Sequence, residues 1–457
     1  LELESHHGIR RHSPWRPLGL TPLAAALEPL AKVATLCQKT PGGPTAESLA
    51  EVYVKQAYEV DTAALAVMAS CETIDQYEPV LGALRAMYLP WVEATARHLQ
   101  RLLAETRKSP ARRHPPNKPL ASHVVLFADG LRFDVATLLK ERLAEDGRDV
   151  VLDWDWAPLP SVTATAKPMC SPLADRLRNG DISDEFAPTL ENGQRVTRDR
   201  FIQVLKANGW QILEGIETGD PSGSAWTEAG TLDKRGHNEG WKLAQAVSSE
   251  VRDLAIRIRQ LLDAGWSEVH VVTDHGWLLV PGGLPKVELK AFLAEQRWGR
   301  CAAIKPAVAT NLPEFTWQWN DAVRVVVPPG VGCFKAGMEY SHGGVSLQEM
   351  VVPHMTVRPG HSLEKAGRIG EVRWTGARCR IAIRGSIVDH SVDVRSRQGD
   401  ASTSFLEGKQ ARAIGEDGSV VVFLADDGDM GKRATIVLLD ASHQVIHSMP
   451  TTLGVNP

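Results

Sequence analysis

The sequence predicts an α/β protein whose central domain is a doubly wound, mostly parallel sheet, with a helical region before it and a β-sandwich after it. Three observations carry this. Short apolar runs alternate with amphipathic stretches between residues 116 and 360. Helical periodicity dominates the chain before that region. After about Gly370 only short strand-like runs remain, separated by Gly, Asp and Ser turns.

In the first part, Leu23-Ala-Ala-Ala-Leu-Glu-Pro-Leu-Ala-Lys-Val and Trp91-Val-Glu-Ala-Thr-Ala-Arg-His-Leu-Gln-Arg-Leu-Leu place apolar side chains three and four apart, as one face of a helix requires. A proline-rich basic connector, Lys108-Ser-Pro-Ala-Arg-Arg-His-Pro-Pro-Asn-Lys-Pro, denies a helix its hydrogen bonds and marks a boundary. The expected division is therefore a helical region with its linker over 1–115, a catalytic-type domain over 116–360 and a sandwich over 365–457.

In the central part, His123-Val-Val-Leu-Phe-Ala reads as a strand buried on both faces. A helix over Asp134–Asp146 and a strand from Asp149 follow. A helix over Val247–Ala264 runs into the strand Glu268-Val-His-Val-Val-Thr, and Lys286–Arg297 reads as a further helix before the strand Ala322-Val-Arg-Val-Val-Val. Arg380-Ile-Ala-Ile-Arg, Ser391-Val-Asp-Val-Arg, Ser419-Val-Val-Val-Phe-Leu and Ala434-Thr-Ile-Val-Leu-Leu supply the sandwich strands, in a domain of about ninety residues.

The composition is that of an ordinary globular protein, 43% apolar and 23% charged, and no apolar run is long enough to span a bilayer. A net charge of −4 gives no global attraction to nucleic acid. Six scattered cysteines, with no C-x-x-C pair, argue against a disulfide framework or cysteine zinc site and for the cytoplasm. The first residues, Leu-Glu-Leu-Glu-Ser-His-His, have neither an initiator methionine nor an apolar signal core and read as a fragment boundary.

Ligands of open parallel sheets bind beyond the carboxyl ends of the strands, so polar residues directly after the apolar runs are the candidates. Asp129 follows the first run; Asp274 and His275 follow Val269-His-Val-Val-Thr. Asp233 and His237 are four apart, on one face of a helical turn, and His342 lies in a glycine-flanked loop. Together they supply oxygen and imidazole donors for two divalent ions, with zinc preferred and manganese the alternative. In Pro160-Ser-Val-Thr-Ala-Thr-Ala-Lys, Thr163 and Thr165 are both eligible as metal-activated nucleophiles at the start of a helix. Arg132 and Lys167 are cations near enough in sequence to bind substrate phosphate.

The ordered set Asp129, Pro160-Ser-Val-Thr163, Asp233-x-x-x-His237, Thr-Asp274-His275-Gly and His342-Gly-Gly, spanning roughly Ser122 to Arg358, resembles the alkaline phosphatase superfamily. Within it, Ala128-Asp-Gly-Leu-Arg-Phe-Asp134 and Ser341-His-Gly-Gly-Val-Ser-Leu-Gln-Glu-Met-Val-Val-Pro353 look like the PglZ domain of BREX phage-defence systems. The resemblance implies an alkaline-phosphatase-like fold. It implies one metal held by Asp129, Thr163, Asp274 and His275, and another held by Asp233, His237 and His342. It makes Thr163 the nucleophile rather than Thr165, and implies other BREX components as partners. The phosphate-clamping arginine of the monoesterase branch has no recognisable counterpart, which favours a phosphodiesterase acting on DNA, another nucleic acid or a nucleotide. A phosphomonoesterase, including a protein phosphatase, and a non-catalytic subunit of the defence assembly are the alternatives.

Overall fold

A computed structural model describes residues 22–71, 74–114, 118–180, 185–290, 294–305, 308–360, 368–384, 390–415 and 417–456, together with His6 and Ile9. The expectation drawn from the first seven residues falls almost wholly outside this range. The chain divides into two compact units, residues 1–146 with 150–358, and residues 359–457 with 147–149.

The first unit is organised by a six-stranded sheet, β1 (His123–Phe127), β2 (Asp149–Trp156), β3 (Trp210–Leu213), β4 (Ser224–Glu228), β5 (Glu268–Val272) and β6 (Val351–Arg358), in the order β2-β6-β5-β1-β4-β3. The run β3-β4-β1-β5 is parallel and β6 is antiparallel to β5. Strand β1 shows why its sequence is continuously apolar. Val124 and Leu126 enter one core, while Val125 and Phe127 enter another on the opposite face with Phe201, Trp226 and Val272.

Helices α1 (Pro22–Leu36), α2 (Ala46–Val52), α3 (Tyr58–Ala69) and α4 (Ile74–Ala104) precede the sheet. Side chains of α1, α3 and α4 join α5 (Phe133–Glu145) and the long helix α9 (Leu243–Asp263) in the larger core, so the N-terminal helices are part of this unit and not a separate body. Helices α6 (Thr163–Cys170), α7 (Arg198–Ala207), α8 (Leu232–Glu239) and the short α10 (Leu347–Met350) complete the unit. Among the described residues no helix is long and apolar enough to cross a membrane.

Two expectations are corrected. The described residues of Lys286–Arg297 form no helix: Lys286 bridges Cys333 and residues 294–297 pair antiparallel with 302–304, so a strand partner overrides the local helical pattern. The strand predicted at Ala322 forms as Asn320–Val326, but outside the main sheet. It doubles back on Glu314–Trp317 across a tight connection, too short for a parallel crossover, in a separate four-stranded antiparallel sheet.

The second unit contains β7 (Arg368–Thr375), β8 (Arg378–Arg384), β9 (Ser391–Arg395), β10 (Arg412–Ala413), β11 (Ser419–Phe423), β12 (Arg433–Leu439) and β13 (Val445–Thr452). They form sheets β7-β8-β11 and β10-β9-β12-β13, whose inward residues, among them Trp374, Ile381, Val394 and Ile436, make one core.

Two buried polar networks fix the loop that carries His342. Glu349, on α10, accepts from Arg300 Nε at 3.0 Å and Nη2 at 2.8 Å, from the Gly344 amide at 2.8 Å and from the Ser346 hydroxyl at 2.8 Å. Asp61 on α3, wholly buried, accepts from Tyr53 at 2.8 Å, from Tyr88, and from the Gln348 amide at 3.1 Å. The N-terminal helices thereby hold the chain beside the loop. Removing one partner of a buried ion pair strands the other charge. Glu349→Ala should therefore cost about 3–5 kcal/mol, seen as a lowered urea midpoint of tryptophan fluorescence; an unchanged midpoint would show that Arg300 finds other partners.

Candidate metal centre

The strand ends deliver the side chains. Asp129 follows β1, and Asp274 and His275 follow β5, its parallel neighbour, so both turns open at the same edge. Gly130 makes the first turn possible: its φ is +67°, and an added Cβ would lie 3.1 Å from Asp233 Cβ. Asp233 and His237 project from α8. That helix approaches Tyr340 so closely that a Cβ on Gly236 would sit 2.1 Å from the tyrosine ring. Thr163 is the first residue of α6, after extended Val162.

Hydrogen bonds on the far side of each imidazole decide what it offers. His275 Nδ1 is 3.1 Å from the Gly276 carbonyl, and His342 Nδ1 is 2.9 Å from the Ser161 carbonyl. A carbonyl only accepts, so each Nδ1 donates, and in a neutral ring so held the lone pair is on Nε2. Around Asp233 Oδ1, His237 Nε2 lies at 3.5 Å and His342 Nε2 at 3.4 Å, and the two imidazole nitrogens are 3.2 Å apart. Donors bound tetrahedrally at zinc distances are separated by about 3.3 Å, so this triangle has the size of one face of a zinc polyhedron. Around His275 Nε2, Thr163 Oγ1 lies at 3.2 Å, Asp274 Oδ2 at 3.4 Å and Asp129 Oδ1 at 3.7 Å. The two groups adjoin: the His275 and His342 rings stack at 3.7 Å and 8°, and His275, Asp233 and His342 also bring donor atoms within 4.8 Å of one another.

Electrostatics test the fit. Asp129 Oδ1 and Asp274 Oδ2 are buried without hydrogen-bond partners, although Asp274 Oδ1 accepts from the amides of Gly130 and His275. Burial first, and then Asp274, push Asp129 up to about 8; burial and Asp233 push Asp274 up to about 6. Burial and the neighbouring His275 push His342 down to about 4. Burial alone would raise Asp233, but His342 leads the neighbours that hold it below its ordinary value. Orphaned carboxylate oxygens and neutral imidazoles at polyhedral spacing are a donor set that a pair of divalent cations fits.

The structure brings together Asp129, Thr163, Asp274 and His275, and beside them Asp233, His237 and His342. The two threonines differ in surroundings: Thr163 lines the cavity, whereas Thr165 is wholly buried, donates to the Phe186 carbonyl and accepts from Trp317 Nε1, both at 2.9 Å. The expected phosphate contact of Arg132 is corrected. Its side chain is 1% exposed, binds both Asp134 oxygens at 2.6 and 2.7 Å and stacks on Trp277, which leaves it no route to a ligand. Lys167 is engaged by Glu228 at 2.8 Å and lies over the Phe127 ring.

A cavity of about 390 Å³ opens on Thr163, Asp233, His237 and His342, and its lining also includes Trp298 and exposed Lys335. Sequence reasoning missed both of these residues. The glycines around Gly332-Cys-Phe-Lys-Ala-Gly337 were the available signal for Lys335, and nothing in the sequence marked Trp298.

No protein-family model matches the chain, and no curated protein matches it. Among solved structures the chain is similar to murine ectonucleotide pyrophosphatase/phosphodiesterase 5, at 12% identity and a TM-score of 0.33, over 51% of this chain and 87% of that one. It is also similar to an inactive form of the same murine protein in complex with AMP, at 12% identity and a TM-score of 0.34, over 53% and 88% of the two chains. The site is defined by its own geometry and not by that likeness: a candidate two-cation centre on the carboxyl edge of a mostly parallel α/β sheet.

A cation at Asp129 must displace the proton that burial holds there. Raising the pH between about 6 and about 8 removes that competitor, so zinc or manganese affinity should rise across this window and proton release on binding should fall. Calorimetry in buffers of different ionisation enthalpy reads both, and an affinity independent of pH would remove Asp129 from the ligand set.

Proposed function

We propose that the chain is a metal-dependent phosphodiesterase that attacks a nucleotide or nucleic-acid phosphodiester through Thr163, within a BREX phage-defence assembly in the cytoplasm. One observation carries the chemical part of this reading. Thr163 Oγ1 lies 3.2 Å from His275 Nε2, on the cavity wall and beside orphaned carboxylate oxygens of Asp129 and Asp274.

Asp129, Thr163, Asp274 and His275 would hold one ion, and Asp233, His237 and His342 the other. When bound, two divalent ions supply the positive charge that makes a threonine hydroxyl a nucleophile near neutral pH and neutralises phosphoryl oxygens. Thr163 opens α6, so the positive end of that helix faces the oxygen that attacks. Its Oγ1 bonds to phosphorus as the bond to the leaving alcohol breaks, and water then releases the phosphoryl group from the threonine. Tyr340 donates to Asp233 Oδ1 at 2.8 Å and holds that carboxylate in place. Lys335 is positioned to pair with a phosphoryl oxygen, a role Arg132 cannot fill, and Trp298 offers an apolar face on the same wall.

The defence role is supported by the resemblance of Ala128–Asp134 and Ser341–Pro353 to the PglZ domain. The free cysteines, all buried except half-buried Cys37, suit a reducing compartment. Thr163→Ala should still hold its metal through Asp129, Asp274 and His275 and lose at least about a thousandfold in kcat on bis-p-nitrophenyl phosphate, as removal of other catalytic nucleophiles does. Unchanged hydrolysis would exclude Thr163, and exclusive cleavage of p-nitrophenyl phosphate would turn the assignment to a monoesterase. Lys335→Ala should lower kcat/KM on the diester by about tenfold or more, with metal content unchanged.

A further inference from the structure

At the opposite end of the strands a second constellation has no part in the chemistry above. Strands β1 and β5 begin at His123 and Glu268, which are register partners, and His270 stands two residues further along β5 on the same face as Glu268. The strands separate this cluster from the rim of Asp129 and Asp274 by about 15–20 Å. A ring nitrogen of His123, one of His270 and a carboxylate oxygen of Glu268 all lie within 4.8 Å of one another. The two rings are 4.3 Å apart, tilted by 57°.

The cluster is incompletely satisfied. His123 is 4% exposed, with Trp210 edge-on to its ring, and its Nε2 is buried without a hydrogen-bond partner. His270 Nε2 shares a proton with Glu268 Oε2 at 2.8 Å, while its Nδ1 is also buried and unpartnered. An imidazole carried to the edge of a sheet core and left with an unused nitrogen lowers stability unless something binds it. Glu268 is already oriented: Arg358 Nε donates to its Oε1 at 3.0 Å, which leaves Oε2 for the cluster. Its side chain is 33% exposed and that of His270 is 17% exposed, so an ion has a way in from solvent. His354, on the neighbouring strand, is stacked 3.9 Å from His114 and lies 6.0 Å from the His270 ring, beyond direct membership.

We propose that His123, Glu268 and His270 form a separate site for one zinc ion, which ties the beginning of β1 to that of β5. Two imidazoles and one carboxylate are a zinc donor set, whereas magnesium and calcium take oxygen cages. Binding breaks the hydrogen bond between His270 and Glu268 and releases its proton to solvent, and water fills the remaining position. The proposal does not depend on the catalytic reading, because none of its residues touches the rim.

The test is the zinc content of the full chain, stripped with a chelator, reloaded, desalted and measured by mass spectrometry. His123→Asn and Glu268→Gln should each carry one equivalent less than the parent, whatever the parent's total. Equal zinc in the parent and both variants overturns the site. Zinc-edge anomalous diffraction from crystals of the unmodified protein needs no substitution. A peak at bonding distance from both imidazoles, about 2 Å, is expected. Its absence in zinc-soaked crystals overturns the proposal.

Discussion

Negative charge gathered at one rim of the sheet is the constraint on which the rest of the site depends. Asp129, Asp233 and Asp274 arrive from two strand ends and a helix; Asp274 is fully buried, and Asp129 and Asp233 are partly so. Two of them respond by holding protons well above the usual carboxylate range, and each keeps an oxygen with no partner. The nearby cations relieve them only in part: Arg132 is committed to Asp134, and Lys167, which lowers Asp129, is itself paired with Glu228. The imidazoles of His275, His342 and His237 stand among them with nitrogen atoms at polyhedral spacing. Such an arrangement is unfavourable alone and favourable around divalent cations, and that asymmetry makes the rim a candidate cation site.

Keeping those atoms in place requires rigid support. His342 lies in a loop with little regular structure, and its position is inherited from the Arg300–Glu349 pair, the Gly344 amide and the Ser161 carbonyl. The chain beside that loop is tied through Gln348 to Asp61 on α3. The N-terminal helices therefore reach the metal centre through hydrogen bonds and through packing alike. A centre whose two donor groups share neighbours 3–4 Å apart tolerates little displacement, which explains why fully buried ion pairs and tyrosines cluster behind it.

Legibility in the sequence followed the range of the forces involved. The strand beginning at His123, the helix ending near Asp263 and the strand ending at Val272 were readable because both faces of each strand and one face of each helix are buried in their immediate surroundings. The stretch from Lys286 to Arg297 was misread because its conformation is set by pairing with residues 302–304 and Cys333, and local periodicity carries no trace of that pairing. Asp129, Asp274 and His275 were visible from their place after strands. Trp298 and Lys335 were not, since what makes them neighbours of Thr163 is the return of the chain through an antiparallel sheet.

Arg132 shows the division most clearly. By sequence it stands beside Asp129 and is an obvious phosphate ligand; in the fold its side chain turns inward to Asp134 and Trp277. The amino-acid order alone determined which residues could be metal donors, because oxygen and imidazole chemistry and the strand-end rule are local properties. Only the tertiary structure decided which donors lie within a few ångströms of one another, which threonine hydroxyl faces the cavity and which cations are engaged in ion pairs. Those outcomes depend on distances of a few ångströms between segments far apart in the chain, and packing sets them.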